Sequence, residues 1–176
     1  MTTVDDRLYF FSGSADLPPG HGVHERVADP ARYAALEQVV HWRRMLSNFW
    51  PADVTLDGRT YRTVEHAFQA AKIALADPAL AERFALESGT DLARGDGAAA
   101  RRCRKLVLLD DAQLRAWDGR KHAVMRDAMH AKFARHEPLR AALLATLRAE
   151  LWHGAGRGQP PVRIYDLESI RDALRR

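Results

Sequence analysis

Three side chains of different chemistry recur at helical spacing in one stretch of this chain: Glu65, Gln69 and Lys72. A carboxylate takes and returns protons, and an amine with a lowered pKa attacks an aldehyde. At about 100° per residue the three share one stripe of a helix. That stripe flanks a second one, Val64, Ala67, Phe68, Ala71 and Leu75, which predicts the buried face. Together they would form the polar edge of a pocket wall. Polar flanks are also the norm on surface helices, so spacing alone fits a solvated face as well.

Other groupings offer chemistry with weaker geometry. His21, His24 and Glu25 are three metal-ligand types in five residues, but their glycine-containing setting lacks the i, i+4 helical spacing of a zinc-protease motif. With one cysteine, Cys103, no structural zinc site can be built and no internal disulfide can form. No metal and no other cofactor is expected. No phosphate-cradling glycine motif follows a predicted strand, which argues against ATP or NAD as cofactor. Cys103 stands inside the densest basic run, Arg101, Arg102, Arg104 and Lys105. Neighbouring cations can activate a thiol, but no His–acid partner is evident. The run reads either as a solvated helix face or as a phosphate or nucleic-acid contact.

The elements that must position these groups are helices and a few strands. Leu8–Phe11 reads as a strand and Pro30–Trp42 as a helix. Asp57-Gly58 lies between two β-rich runs, Asp53–Leu56 and Arg59–Arg62, and predicts a type I′ hairpin. Thr63 then caps a helix from Val64 to Ala76. Pro78 closes it and opens another short helix. Helical patterns follow over 98–109, 112–135 and 138–147. Glu150–His153 and Val162–Tyr165 read as strands, and Asp166 caps a terminal helix. The fold class is therefore α+β: one predominantly helical domain over residues 1–176, with a small, mostly antiparallel sheet.

The chain carries 27 basic and 23 acidic residues, a formal charge of +4, which suits a phosphate-bearing ligand without marking a dedicated nucleic-acid binder. Without a signal core, a membrane-length apolar run or a cysteine pair, it reads as a cytoplasmic protein.

A longer stretch narrows the choice. Leu46-Ser47-Asn48-Phe49, a short hairpin, and Thr63-Val64-Glu65-His66-Ala67-Phe68-Gln69-Ala70-Ala71-Lys72 together resemble the signature of the YbiA-like/NADAR family. Trp117, Ala131-Lys132-Phe133 and Leu143-Leu144-Ala145-Thr146 extend the likeness. The resemblance implies a YbiA-like fold and hydrolysis of N-glycosidic bonds, without a cofactor. Substrates implied are ADP-ribosylated guanine bases of nucleic acid or ribosylamine phosphate intermediates of riboflavin synthesis. A non-catalytic nucleotide-binding module is a third reading. It also implies an ADP-ribosyltransferase toxin as partner. By position it makes Glu65, Lys72 and Trp117 catalytic, and Phe11, Asn48, Phe49, Gln69, His153 and Arg157 substrate-binding.

The likeness fades over residues 148–176. Family members carry an acidic residue before a Trp-Gly-x-Gly loop, whereas here Glu150-Leu151-Trp152-His153-Gly154 leads into a shorter loop with no Asp. The family's second catalytic acid has no clear equivalent; Glu150, His153 and Arg157 stand near it by location only. For a ribose–nitrogen bond, Glu65 would stabilise the developing sugar cation and deprotonate water. An apolar flank at Phe68 would raise its pKa. Trp117 or Phe49 would stack on a ring, and Arg43, Arg44 or Arg157 would hold phosphates.

Overall fold

The computed structural model describes residues 5–154 and 158–176. In chain order the elements are β1 (Arg7–Phe10), α1 (Ala34–Glu37), α2 (Trp42–Leu46), β2 (Val54–Leu56), β3 (Arg59–Tyr61), α3 (Val64–Ile73), α4 (Pro78–Glu82) and α5 (Asp91–Arg94). Then come α6 (Gly97–Arg102), α7 (Asp111–Arg135), α8 (Glu137–Ala145), β4 (Glu150–His153), β5 (Val162–Arg163) and α9 (Tyr165–Leu174). The class is α+β, as expected. Among the described residues, no helix is long and apolar enough to cross a membrane.

The chain divides into two compact units, Asn48–Lys132 and the remainder, Met1–Ser47 with Phe133–Arg176. In the remainder, β4 is the middle strand of a three-stranded sheet, parallel to β1 and antiparallel to β5. The sheet is thus mixed, and its longest pairing is the parallel one. Leu8, Phe10 and Leu151 supply its buried face, while α8 packs against α2 and α9.

In the Asn48–Lys132 unit, β2 and β3 form the expected hairpin, with Val54 opposite Tyr61 and Leu56 opposite Arg59. Asp57 and Gly58 both have positive φ, 50° and 76°, as a type I′ turn requires. The unit's core gathers Ala70, Ile73, Ala81, Phe84 and Ala100, with Tyr61, Leu80 and Leu92 at its margin. Three alanines in that core allow α3, α4 and α6 to approach closely, and α3 packs on both of the others.

Some boundaries differ from the sequence expectation. The helix expected over 30–42 is broken. A 3-10 turn at Pro30–Tyr33 leads into α1, and His41 then takes a left-handed conformation (φ 64°) before α2. The helix expected over 98–109 stops at Arg102, continuing only as a 3-10 turn through Lys105. The strand expected at Val162–Tyr165 is two residues long, because Tyr165 already begins α9; Ile164 stands at the cap position and Asp166 lies in the first turn.

Candidate active site

Helix α3 is fixed at its start by two bonds. The Thr63 hydroxyl accepts from the His66 amide at 3.2 Å, and the Asn48 carbonyl accepts from the Glu65 amide at 3.1 Å. These serve donors that a helix start otherwise leaves unpaired. His66 is wholly buried and clamps the same turn. Its Nδ1 lies 2.8 Å from the Thr63 hydroxyl and its Nε2 3.1 Å from the Leu92 carbonyl. Burial pushes the His66 pKa down, against the raising effect of the Leu92 carbonyl, so the ring is neutral and structural.

The buried face of α3 is wider than the predicted stripe. Val64, His66, Ala67, Ala70 and Ile73 are buried, whereas Phe68, Ala71 and Leu75 are only partly so. Glu65 and Gln69, expected at the edge, are buried too, 6% and 4% exposed. Gln69 Nε2 donates to Glu65 Oε1 at 2.8 Å, one helical turn away. Among the described residues, the buried Gln69 Oε1 has no hydrogen-bond partner. Burial pushes the Glu65 carboxyl up, opposed by the Gln69 bond and by the charges of Arg101 and Arg104. A carboxyl pushed upward in this way is better suited to acid–base chemistry than an ordinary solvated one.

Arg101 and Arg104 also line a cavity of about 440 Å³, together with Phe49, Ala98, Arg102 and Lys105. The Arg101 guanidinium stands 6.0 Å from the Phe49 ring centre. Gly97, the first residue of α6, lies directly against Phe49: a Cβ there would fall 2.7 Å from Phe49 Cα and 2.8 Å from its Cγ. Only glycine permits that approach. Asn48, next in the chain, donates Nδ2–H to Met125 Sδ at 3.2 Å.

The other expected site residues fall in three places. Trp117, buried on α7, meets Phe68 edge-on at 4.9 Å, and so supports the helix that carries Glu65. Lys72 is half-buried in the last turn of α3. Phe11 and His153 belong to the other unit. Phe11 is exposed, edge-on to Tyr9 at 6.4 Å; His153 lies opposite Phe10 across the β1–β4 pairing, their rings 5.3 Å apart. Arg157 lies outside the described residues.

Several groups named by sequence are already committed elsewhere. Arg43 is buried and donates to Glu25 and to the Leu17 and Pro18 carbonyls, and Arg44 donates to the Ser14 carbonyl at 2.7 Å. Arg43 is thereby unavailable for a substrate phosphate, whereas Arg44 keeps its terminal nitrogens, one of them 3.9 Å from Asp16. Glu25 accepts from the amides of Tyr9, Gly20 and Gly22 as well as from Arg43, which leaves it no lone pair for a metal beside His21 and His24. Glu150 accepts from Arg7, from Trp152 Nε1 at 2.9 Å and from Arg163 at 2.6 Å. Partial desolvation raises its pKa, but these donors outweigh it and hold the carboxyl below the usual range. It is a poor general acid. Burial pushes the Cys103 thiol up despite Arg102 and Arg83, and its S–H points to the Ala99 carbonyl at 3.4 Å, so the basic run does not activate it.

Comparison with known proteins agrees with this picture. The NADAR domain model matches residues 36–157, more than half of the chain, including all of α3. The chain belongs to the NADAR family. This NADAR protein is 36% identical over 140 residues to the N-glycosidase YbiA of Escherichia coli, a match covering 73% of the chain and 79% of the relative. The N-glycosidase YbiA of Shigella sonnei is 35% identical, with the same coverage. The NMR structure of the E. coli protein YbiA matches with a TM-score of 0.52 at 24% identity, covering 99% of this chain and 86% of that one. That likeness supports the fold.

Proposed function

We propose that this NADAR protein is an N-glycosidase that hydrolyses a ribose–nitrogen bond, and in particular removes ADP-ribose from ADP-ribosylated guanine bases of nucleic acid. The observation that carries the reading is Glu65: a buried carboxylate, oriented by Gln69, with its pKa pushed up, within electrostatic reach of Arg101 and Arg104, which line a cavity. A non-catalytic binding module would have no use for a carboxylate kept desolvated at this cost. The named activity of the YbiA relatives points the same way.

The chemistry balances with water as the only co-reactant. The bond between the anomeric carbon and nitrogen breaks, its electron pair leaves with the base, and positive charge develops on the sugar. Glu65 takes a proton from water, whose hydroxide adds to the anomeric carbon, and that proton passes on to the nitrogen of the departing base. Proton transfer from a positioned carboxylate contributes about 10²–10⁴-fold. The buried, unpaired Gln69 Oε1 offers an acceptor for a ribose hydroxyl. Phe49 offers a flat apolar face for a ring.

Exposed arginines around the cavity favour a nucleic-acid adduct over a small metabolite. The test offers both. Purified protein is incubated with ADP-ribosylated DNA and, separately, with a ribosylamine phosphate, and base release is followed by mass spectrometry. We expect guanine-containing product to be restored from the DNA. Turnover of the ribosylamine phosphate alone would shift the assignment to metabolite clearance, and turnover of neither would refute the N-glycosidase reading.

A further inference from the structure

Part of the positive charge in this protein is paired where it stands: Arg43 with Glu25, Arg59 with Glu82, and Arg163 with Glu150 and Glu168. Segment 101–105 stands out by its density of charge. Arg101, Arg102, Arg104 and Lys105 crowd into five residues, all are exposed, and all line one cavity. Among the described residues no carboxylate lies within ion-pair distance of any of them. The end of α6 accounts for part of this, because cations suit a helix C-terminus. Arg104 and Lys105 lie beyond that helix, and four like charges side by side repel one another.

The cavity also discriminates among anions. One wall is the Phe49 ring, with Arg101 facing it, so a ligand that combines a flat ring with negative charge fits better than a simple ion. Guanidinium groups meet phosphate oxygens in pairs, with a geometry that a lysine lacks. Glu65 feels the charges of Arg101 and Arg104, so the anion's seat and the carboxylate are electrically coupled.

We propose that Arg101 and Arg104, with Arg102 and Lys105 around them, form the phosphoryl subsite of this protein. It selects phosphorylated N-ribosides and seats their phosphate so that the glycosidic bond addresses Glu65. The proposal rests on the N-glycosidase reading for its catalytic consequence, but not for its binding consequence. Arg101 and Arg104 act as positioning residues. They hold the substrate, and their charges oppose the burial that pushes the Glu65 pKa up.

Binding is tested first, without turnover. Wild type, the double variant Arg101→Gln/Arg104→Gln and a control variant, Arg120→Gln, are titrated with inorganic phosphate and with inorganic pyrophosphate by calorimetry at two salt concentrations. Arg120 lines a different cavity, on the other flank of α3. Wild type and the control should bind pyrophosphate with strong salt dependence, and the double variant at least about tenfold more weakly. Preference for pyrophosphate over phosphate would point to a diphosphate-bearing ligand, and the reverse to a single phosphate. Equal binding by wild type and the double variant, or an equal loss in the control, would overturn the subsite.

Turnover supplies the second readout. Removing the phosphates from the substrate should raise KM for wild type by at least about tenfold, with a smaller effect on kcat, and should leave the double variant indifferent. In the double variant Glu65 loses the two charges that lower its pKa. The acidic limb of kcat/KM should therefore move to higher pH, a change that a structural role would not produce. If wild type turns over no riboside, the N-glycosidase reading falls and the pyrophosphate titration still decides the subsite. If it turns over both forms equally, the reading stands and the subsite falls.

Discussion

Glu65 was legible because its neighbours in the chain are also its neighbours in space. Gln69 is one turn along the same helix and donates to it, and the cap at Thr63 is two residues away. Replacing Glu65 with Gln should lower kcat by at least about 10²-fold while the fold persists. The same change should stabilise the protein at neutral pH. The folded carboxyl has a pKa above its unfolded value, so the folded state holds the proton more tightly. Stability then falls as pH rises through that window, and a neutral amide escapes the loss. A urea midpoint for Glu65→Gln at or below that of wild type at pH 7.5 would contradict this. Lys72 calls for a different comparison. It is half-buried in the last turn of α3. If it positions a hydroxyl or phosphate and forms no covalent bond, Lys72→Arg should keep part of the activity with a raised KM. A sugar adduct trapped on Lys72 by borohydride during turnover would show instead that the amine is the nucleophile. What the sequence hid at this scale were partners made by folding. Glu25 reaches Arg43 across 18 residues, and Glu150 reaches Arg163 across 13, so a candidate ligand and a candidate acid both prove to be ion-paired.

Elements were readable where a local rule decides them. Asp57-Gly58 can adopt the two positive φ values of a tight hairpin, and Pro78 can only begin a helix. They were misread where a single residue or a distant contact decides. The left-handed His41 splits one expected helix, and the run after Arg102 tightens into a 3-10 turn. The junction of α6 with the chain at Phe49 belongs to this scale. Gly97→Ala would drive a methyl into Phe49 at a distance no packed side chain tolerates, so Phe49 must move out of the cavity wall. We expect KM to rise several-fold in Gly97→Ala with a modest loss of stability. Unchanged KM would mean that Phe49 does not contact substrate. The segment 18–25 is held in a similar all-or-none way. Three backbone amides and one guanidinium converge on the Glu25 carboxylate, so Glu25→Ala strands a buried charge and should cost about 3–5 kcal/mol. A denaturant titration that shows less than about 1 kcal/mol would mean the cluster is relieved by water.

At the scale of the whole molecule, pH decides how much stability the fold has to spend. Lys132 is wholly buried at the end of the Asn48–Lys132 unit, and burial pulls its pKa down to about 7 from 10.5. Between those two values the unfolded chain holds a proton that the folded chain does not. Stability should therefore rise as pH increases from about 7 to about 10, the opposite of the usual alkaline decline. The rise should vanish in Lys132→Met, and a flat wild-type profile over that range would show that the amine keeps its proton when folded. None of this was visible in the sequence, where Lys132 only belongs to a short stretch that extends the family likeness. Its seclusion gives the protein a chemical clock. Of the chain's four lysines, Lys72, Lys105 and Lys121 all keep some exposure to solvent, whereas Lys132 has none. An acylating reagent will modify those three on the folded protein and reach the fourth only during an opening event. Once acylated, that side chain is too large to return to its place. The rate at which this one peptide gains the label therefore counts openings one by one, and each counted molecule is withdrawn from the folded pool for good.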